Sequence, residues 1–377
     1  MTILSHRVDG PAWAPLLVLG PSLGTTLHVW DPQMEALTAS WRVLRYDLPG
    51  HGGSAPVSEV TVGLLADAVL ALATQEKADR FAVGGISLGG AVAATVAVTA
   101  PERVSHLVLC CSSARFGEPG PWHERAHAVR RDGMKPLADV LPARWFSAPE
   151  TGTEAVIEAV TEVRRMPYGV DVGSYAACCE ALADYDLTGE LGAVAAPTLV
   201  VAGADDPATP LAHALTLAAG IPGALLTVVP GASHLAGVER PEEVTAAIVR
   251  HLGGERAAEG ARTRRRVLGD AHVDRAEAAT TGFTRDFQEF ITRYAWDGIW
   301  NRPGLDRRTR SCVTLTALVA GGHLEELAMH VRAALRNGLT PDEIKEVLLQ
   351  SAVYCGVPAA NAAFAVAQRT LDEVGVL

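Results

Sequence analysis

In residues 1–253, short runs of β-branched and other apolar residues alternate with longer segments whose apolar positions recur every three or four residues. The short runs predict buried strands, and the longer segments predict amphipathic helices. This alternation is typical of a mostly parallel sheet covered by helices, so we expect an α/β fold. The predicted strands are 16–20, 42–46, 80–84, 104–111, 197–202 and 224–229.

A long stretch between the fourth and fifth predicted strands, about 114–191, has helical periodicity and no strand pattern. An insertion at this point of the chain lies over the carboxyl ends of the strands, where open α/β sheets bind ligands. We therefore expect a helical cap above the functional site.

The pattern changes after residue 253. Residues 254–266 are small or charged and lack apolar periodicity, which predicts a linker. From residue 267 to residue 377 only helical periodicity remains, and it predicts helices at 310–320, 324–337 and 341–353. Thr340 is suited to cap the last of these, because a proline and two acids follow it. We expect a second, all-α domain.

Composition and charge narrow the possible functions. The formal net charge of -11 argues against a general nucleic-acid binder but leaves room for a small anionic ligand. No apolar run reaches the roughly 18 residues that a membrane span needs, and the first residues lack a signal pattern. We therefore expect a cytoplasmic protein without a membrane partner. The six cysteines lack CxxC spacing, which favours buried free thiols.

Residues 85–89 read G-I-S-L-G and lie between a predicted strand and an Ala-rich helical segment. In this setting a sharp turn exposes the hydroxyl of Ser87, and the flanking glycines let the backbone pass close by. We predict that Ser87 is a nucleophile. The backbone N–H groups of Leu88, in the first helical turn, and Leu23, in the loop after the first strand, are candidate oxyanion donors.

A serine nucleophile needs a base that takes its proton and an acid that orients the base. Asp205 and Asp206 follow the predicted strand at 197–202, and His234 follows the next predicted strand. The order serine, acid, histidine is the one that hydrolases with a parallel α/β sheet use. We therefore predict that His234 is the base and that one of the two aspartates is the acid.

Residues 21–31, the turn at 85–89 and the loop at 203–210 together resemble the 3-oxoadipate enol-lactonases of the α/β-hydrolase superfamily. The resemblance favours Asp206 over Asp205, because residues 203–207 match the superfamily's G-x-x-D-P spacing. It also implies an anionic lactone substrate whose free carboxylate needs a cation. In the cap, Arg144 and Trp145 are our candidates for contacting this substrate, although the sequence alone does not choose among seven cap arginines.

Residues 300–363 resemble the 4-carboxymuconolactone decarboxylases, which are all-α proteins of the AhpD-like superfamily. The matching pieces are 302–310, 325–334 and 350–361. The two resemblances together cover nearly the whole chain and leave the cap least matched. The second one implies a decarboxylation without cofactor or metal, because the lactone carbonyl can accept the electrons released with CO₂.

Five polar residues of this region are candidates for the decarboxylation site. Glu326 and His330 are spaced i, i+4 on one helix face and can act as a proton-transfer pair, and His323 lies close to the same face. Arg307 and Arg310 are candidate carboxylate clamps, because the guanidinium fork matches a carboxylate. A helix face in solvent is the competing interpretation for these residues.

The two resemblances imply a bifunctional enzyme of protocatechuate breakdown, because the product of the decarboxylase is the substrate of the lactonase. They also imply a homo-oligomer that assembles through its helical domain. An alternative stays open: a serine esterase or lactonase for another substrate, whose helical domain serves only oligomerisation.

Overall fold

The computed structural model describes residues 4–12, 14–147 and 153–376. The chain forms two compact units, Met1–Leu252 and Gly253–Leu377. Residues 148–152 of the predicted cap lie outside the described residues.

A seven-stranded sheet forms the centre of the first unit. Its strands in chain order are β1 (His6–Asp9), β2 (Leu16–Gly20), β3 (Arg42–Tyr46), β4 (Phe81–Ile86), β5 (Val104–Cys110), β6 (Thr198–Gly203) and β7 (Leu225–Val229). They are ordered β1-β3-β2-β4-β5-β6-β7, and every neighbouring pair is parallel except β1 with β3. The six predicted strands are present, with ends shifted by at most two residues. The short strand β1 was not predicted.

The central strands are buried along their whole length because helices cover both faces of the sheet. Every residue of β2, β4, β5 and β6 is buried, which explains the continuous apolar runs that marked these strands in the sequence. The helices of this unit outside the cap are α1 (Asp31–Thr38), α2 (Val62–Gln75), α3 (Leu88–Thr99), α9 (Leu211–Gly220), α10 (Ala236–Glu239) and the first part of α11 (Pro241–Leu268).

The chain between β5 and β6 is helical. Its α-helices are α4 (Pro119–Asp132), α5 (Lys135–Val140), α6 (Pro142–Trp145), α7 (Glu154–Arg165) and α8 (Val172–Ala183). Helix α4 packs against α8, and the aromatic residues Phe116, Trp122 and Tyr185 form edge and tilted ring contacts beside them. The predicted α/β fold with a helical cap is confirmed.

The second unit is all-α, as predicted. After α11 its helices are α12 (Asp270–Ala278), α13 (Arg285–Ile291), α14 (Arg307–Gly321), α15 (Leu324–Arg336), α16 (Pro341–Cys355) and α17 (Val357–Glu373). Residues such as Leu315, Leu327 and Ile344 form its core. The predicted cap of α16 is confirmed, because Thr340 and Glu343 form a reciprocal capping box.

The linker predicted at 254–266 is wrong as a description of local structure. Helix α11 runs without interruption from Pro241 to Leu268 and includes this segment. Its alanine, glutamate and arginine residues have high helix propensity, and that propensity outweighs the cost of Gly254 and Gly260. The weak apolar periodicity of this segment therefore did not indicate a break in the helix. In the described part of the chain, no helix is long and apolar enough to cross a membrane.

Candidate active sites

Ser87 occupies a strained turn between β4 and α3. Its backbone dihedral angles are φ 55° and ψ -115°, in a region that L-residues rarely adopt. The glycines on either side are required by close packing: a Cβ on Gly85 would lie 2.1 Å from the carbonyl carbon of Gly89, and one on Gly89 would lie 2.4 Å from that of Gly20. This geometry is that of a turn that presents a serine hydroxyl at the end of a sheet.

The loop after β2 packs directly against this turn. The backbone N–H of Gly89 donates to the carbonyl of Pro21 at 3.0 Å, which fixes the loop next to the first turn of α3. Among the described residues, the backbone N–H groups of Leu23 and Leu88 donate no hydrogen bond. Both N–H groups can therefore donate to a ligand, and their role as oxyanion donors stays a prediction.

A buried histidine holds the same loop from the other side. The Nε2 atom of His51 accepts the Gly24 N–H at 3.1 Å, and its Nδ1 lies 2.8 Å from the carbonyl of Pro49. Burial lowers the pKa of His51 to about 4, so the ring is neutral and donates from Nδ1 to Pro49. His51 is thus a structural residue that holds the loop containing Leu23, the predicted oxyanion loop.

The carboxylate that pairs with His234, the predicted base, is that of Asp206. Its Oδ2 atom lies 2.9 Å from Nδ1 of His234, and both side chains are buried. Asp206 also accepts hydrogen bonds from the Thr209 hydroxyl at 2.6 Å and from the Ala208 backbone N–H at 2.7 Å. Burial alone would raise the pKa of Asp206, but His234 and the hydroxyl and backbone N–H of Thr209 lower it to about 2. Asp205 is exposed.

The segment after β5 connects the nucleophile turn with the histidine loop. The Ser112 hydroxyl donates to the carbonyl of Ser87 at 2.8 Å, and the Ser87 N–H donates to the carbonyl of Cys110 at 3.0 Å. The thiol of Cys111 lies 3.8 Å from the carbonyl of Ser233, which directly precedes His234. These contacts hold Ser87 and His234 at the same edge of the sheet.

The cap helix α6 is attached to the histidine loop on both sides of His234. The Leu235 N–H donates to the carbonyl of Trp145 at 3.0 Å, and the Ser233 hydroxyl donates to that of Arg144 at 3.2 Å. The buried carboxylate of Glu239 adds a further link, because it accepts the backbone N–H groups of Ser147 and Ser233, each at 2.8 Å. The cap and His234 therefore have a fixed relative position.

The predicted cap residues Arg144 and Trp145 lie beside these loops. A Cβ on Gly24, next to the oxyanion candidate Leu23, would lie 3.5 Å from both Trp145 and Tyr175, so these rings line the oxyanion loop. Burial and the neighbouring guanidinium of Arg125 lower the pKa of Arg144, and the Asp206 carboxylate opposes that shift. Arg144 makes no ion pair within the described residues.

Sequence reasoning did not select Arg125 from the cap arginines and did not name Tyr175. The guanidinium of Arg125 lies over the ring of Trp122, 4.7 Å from its centroid, and forms no ion pair within the described parts of the chain. Arg125 is one of seven cap arginines, and no pattern around it distinguishes it from the others. The guanidinium groups of Arg125 and Arg144 are close enough for the first to lower the pKa of the second, and neither forms an ion pair within the described residues.

In the second unit, Glu326 and His330 lie four residues apart on α15. Burial and the neighbouring His272 lower the pKa of His330 to about 4, while the Glu326 carboxylate opposes the shift. His330 is therefore a neutral imidazole near pH 7, half-buried beside an exposed carboxylate. A neutral ring can accept a proton at one nitrogen and donate one from the other.

The other three predicted residues of this unit have different surroundings. His323 precedes α15 as its N-cap residue, and its ring folds back over Gly321. Arg310 donates to the carbonyls of Arg302 and Leu305, at 2.7 and 3.2 Å, and so fixes the loop before α14. Arg307 lies in the first turn of α14. No described contact joins these three residues to His330, so their substrate roles stay predictions.

Comparison with known proteins assigns the two units of the chain to two different families. The sequence model of the alpha/beta hydrolase family matches residues 17–247, and that of the carboxymuconolactone decarboxylase family matches residues 285–369. The chain is 34% identical over 250 residues to 3-oxoadipate enol-lactonase 2 of Acinetobacter baylyi, covering 65% of this chain and 91% of that protein. It is 45% identical over 122 residues to 4-carboxymuconolactone decarboxylase of the same organism, covering 32% of this chain and 91% of that protein.

Solved structures agree for the first unit. The enol-lactonase from Burkholderia xenovorans LB400 superposes with a TM-score of 0.63 at 36% identity and covers 66% of this chain and 96% of its own. The chain therefore belongs to the alpha/beta hydrolase family through its first unit and to the carboxymuconolactone decarboxylase family through its second.

Proposed function

We propose that this chain catalyses two consecutive reactions: decarboxylation of 4-carboxymuconolactone to 3-oxoadipate enol-lactone, and hydrolysis of that lactone to 3-oxoadipate. The observation that carries the proposal is the presence on one chain of two sites, the His234–Asp206 pair beside the Ser87 turn and the Glu326–His330 pair on α15. Each lies in the unit that is similar to the enzyme named for that step. The first product is the second substrate, so the pairing is chemically consistent.

The decarboxylation needs an electron acceptor and a proton donor. When the ring carbon loses its carboxylate as CO₂, the bonding electrons move through the ring alkene to the lactone carbonyl oxygen. The carbon next to that carbonyl then takes a proton. His330 is suited to deliver this proton and Glu326 to replenish it, because their i, i+4 spacing places them side by side.

The hydrolysis follows from the geometry of the first unit. The Ser87 hydroxyl attacks the lactone carbonyl while His234 takes its proton, and Asp206 stabilises the imidazolium that forms. The Leu23 and Leu88 N–H groups stabilise the oxyanion. The ring C–O bond breaks, the enol leaves and becomes a ketone, and water activated by His234 hydrolyses the acyl-enzyme. The product is 3-oxoadipate.

The test is to add purified protein to 4-carboxymuconolactone and to measure CO₂ and 3-oxoadipate together. We expect both to form in equal amounts. The alternative, a serine esterase or lactonase for another substrate with a non-catalytic helical domain, predicts no CO₂ above background. The similarity of the second unit to a decarboxylase over 91% of that protein's length favours the two-step function.

Arg144 is our proposed contact for the free carboxylate of the enol-lactone, with Trp145 beside it. Replacing Arg144 by Gln removes a charge-assisted hydrogen bond of about 1.5–3 kcal/mol, so kcat/KM for the enol-lactone should fall by about 10- to 100-fold, mainly through KM. Steady-state kinetics with the isolated lactone measures this. The matched control is Arg165→Gln, because Arg165 is exposed and pairs with Glu162. Equal KM values for both variants would refute the assignment.

We also propose that the protein forms a homo-oligomer through its helical unit. Val353, Tyr354 and Val357 are 74%, 79% and 73% exposed and form an apolar surface where α16 ends and α17 begins. Replacing Tyr354 by Glu should reduce the molar mass measured by sedimentation to that of one chain, and Tyr168→Glu, in the cap, should not. A wild-type protein that sediments as a single chain would contradict the proposal.

A further inference from the structure

Three consecutive arginines, residues 264–266, lie near the end of α11, and the proposed chemistry gives them no role. Two of them have carboxylate partners: Arg265 pairs with Asp274 at 2.6 Å and with Glu277 at 2.7 Å, and Arg266 pairs with Glu259. Arg264 differs from both of its neighbours, because it makes no ion pair within the described residues.

Arg264 is also buried, with only 8% of its surface exposed. Its Nη1 donates to the side-chain oxygen of Gln288 at 2.9 Å, and its Nε is buried without a hydrogen-bond partner. A buried guanidinium without a carboxylate is costly, since the loss of hydration is not offset by an opposite charge. An anionic ligand bound beside Arg264 would supply the missing charge.

The position of Arg264 connects it with α15. Val267 and Leu268, three and four residues further along α11, pack with Ala333 and Met329 of α15 in one apolar cluster. Arg336, at the end of α15, donates to the carbonyl of Leu268 at 2.8 Å and fixes this end of α11 there. Met329 and Ala333 flank His330, so the face of α11 that carries Arg264 lies along the His330 side of α15.

His272 lies close enough to both Arg264 and His330 to interact with them electrostatically. It belongs to α12, where the adjacent Val273 packs in the same apolar cluster with Ala333. Burial is the largest cause that lowers the pKa of His272, and the Arg264 guanidinium is the next. Burial is also the largest cause that lowers the pKa of His330, and His272 is the next. Arg264, His272 and His330 therefore form one cluster. Two acids lie nearby. Glu277 forms an ion pair with Arg265, and Glu326 is the proposed partner of His330.

We propose that Arg264 and His272 bind a carboxylate of the lactone substrate beside His330. This inference rests on the proposed decarboxylase function and names the group that positions its substrate. The carboxylate in question is the one that the product keeps. A cation paired with the departing carboxylate would stabilise the ground state and slow its loss as neutral CO₂, whereas a cation on the retained carboxylate positions the ring without that cost.

The test is the steady-state kinetics of CO₂ release from 4-carboxymuconolactone by the full chain. For Arg264→Gln we expect KM to rise about 10- to 100-fold with a smaller change in kcat, and for Arg264→Lys we expect partial recovery of KM. Arg266→Gln is the matched control, because the adjacent Arg266 pairs with Glu259 on the surface. Its KM should equal that of the wild-type protein.

His272→Asn is the second variant, and it decides the question if Arg264→Gln does not fold. It should raise KM about 3- to 10-fold, the loss expected of one hydrogen bond. Circular dichroism and thermal unfolding of the same preparations report whether the second unit of each variant is folded, because lactone hydrolysis reports on the first unit alone. A wild-type protein that releases no CO₂ would overturn the proposed function and this inference together. An active wild-type protein with unchanged KM in folded Arg264→Gln and His272→Asn variants would overturn this inference alone.

Discussion

Replacing Ser87 by Ala is expected to lower hydrolysis of 3-oxoadipate enol-lactone by about 10⁴-fold or more while CO₂ release continues. The variant retains the oxyanion donors and the His234–Asp206 pair but has no hydroxyl that can form the acyl-enzyme. The second unit is unaffected, so the enol-lactone should accumulate when 4-carboxymuconolactone is supplied. Proton NMR of the reaction mixture measures the lactone and 3-oxoadipate separately.

The control for this variant is Ser105→Ala. Ser105 is also buried, but it lies near the amino end of β5, at the opposite edge of the sheet from Ser87. We expect full formation of 3-oxoadipate by that protein. If the Ser87 variant formed 3-oxoadipate at the wild-type rate, Ser87 would not be the nucleophile.

Replacing His330 by Asn has the second largest expected effect: CO₂ release should fall by about 10²- to 10⁴-fold, the contribution of a positioned proton donor. Glu326→Gln should reduce the rate in the same direction, because it removes the carboxylate beside the imidazole. Both variants should hydrolyse added enol-lactone normally. CO₂ capture and a separate lactonase assay on the same preparations measure the two activities.

Glu325→Gln is the matched control for Glu326→Gln. Glu325 is the adjacent residue in the first turn of α15 and lies five residues from His330, off the i, i+4 face. CO₂ release should be unchanged in this variant. Equal losses in both glutamate variants would favour a solvent-exposed helix face with no specific proton pathway.

The sheet was predictable from the sequence because its central strands are buried on both faces and therefore consist of continuous apolar runs. The edge strand β1 was not predicted, because its sequence H-R-V-D has only one apolar residue. The continuation of α11 through residues 254–266 was missed for a related reason. That segment forms helix by propensity without an apolar stripe.

The candidate residues of the hydrolase site could be predicted where a reactive side chain lies at a backbone position that the sequence itself marks. Ser87 is marked by the glycines that its turn requires, and His234 and Asp206 follow strands that end beside it. Arg125 and Arg264 could not be chosen in this way. Each is one of several arginines in its segment. In the fold, Arg125 is distinguished by its position over the Trp122 ring, and Arg264 by its burial without an ion pair among the described residues.

The central claim is that one chain carries two separable sites for consecutive steps. It is tested most directly by mixing the Ser87→Ala and His330→Asn proteins and supplying 4-carboxymuconolactone. Neither variant alone should form 3-oxoadipate at more than a small fraction of the wild-type rate. The mixture should form it, because the first protein releases the enol-lactone that the second hydrolyses. A mixture that forms no 3-oxoadipate, while the wild-type protein does, would contradict the account.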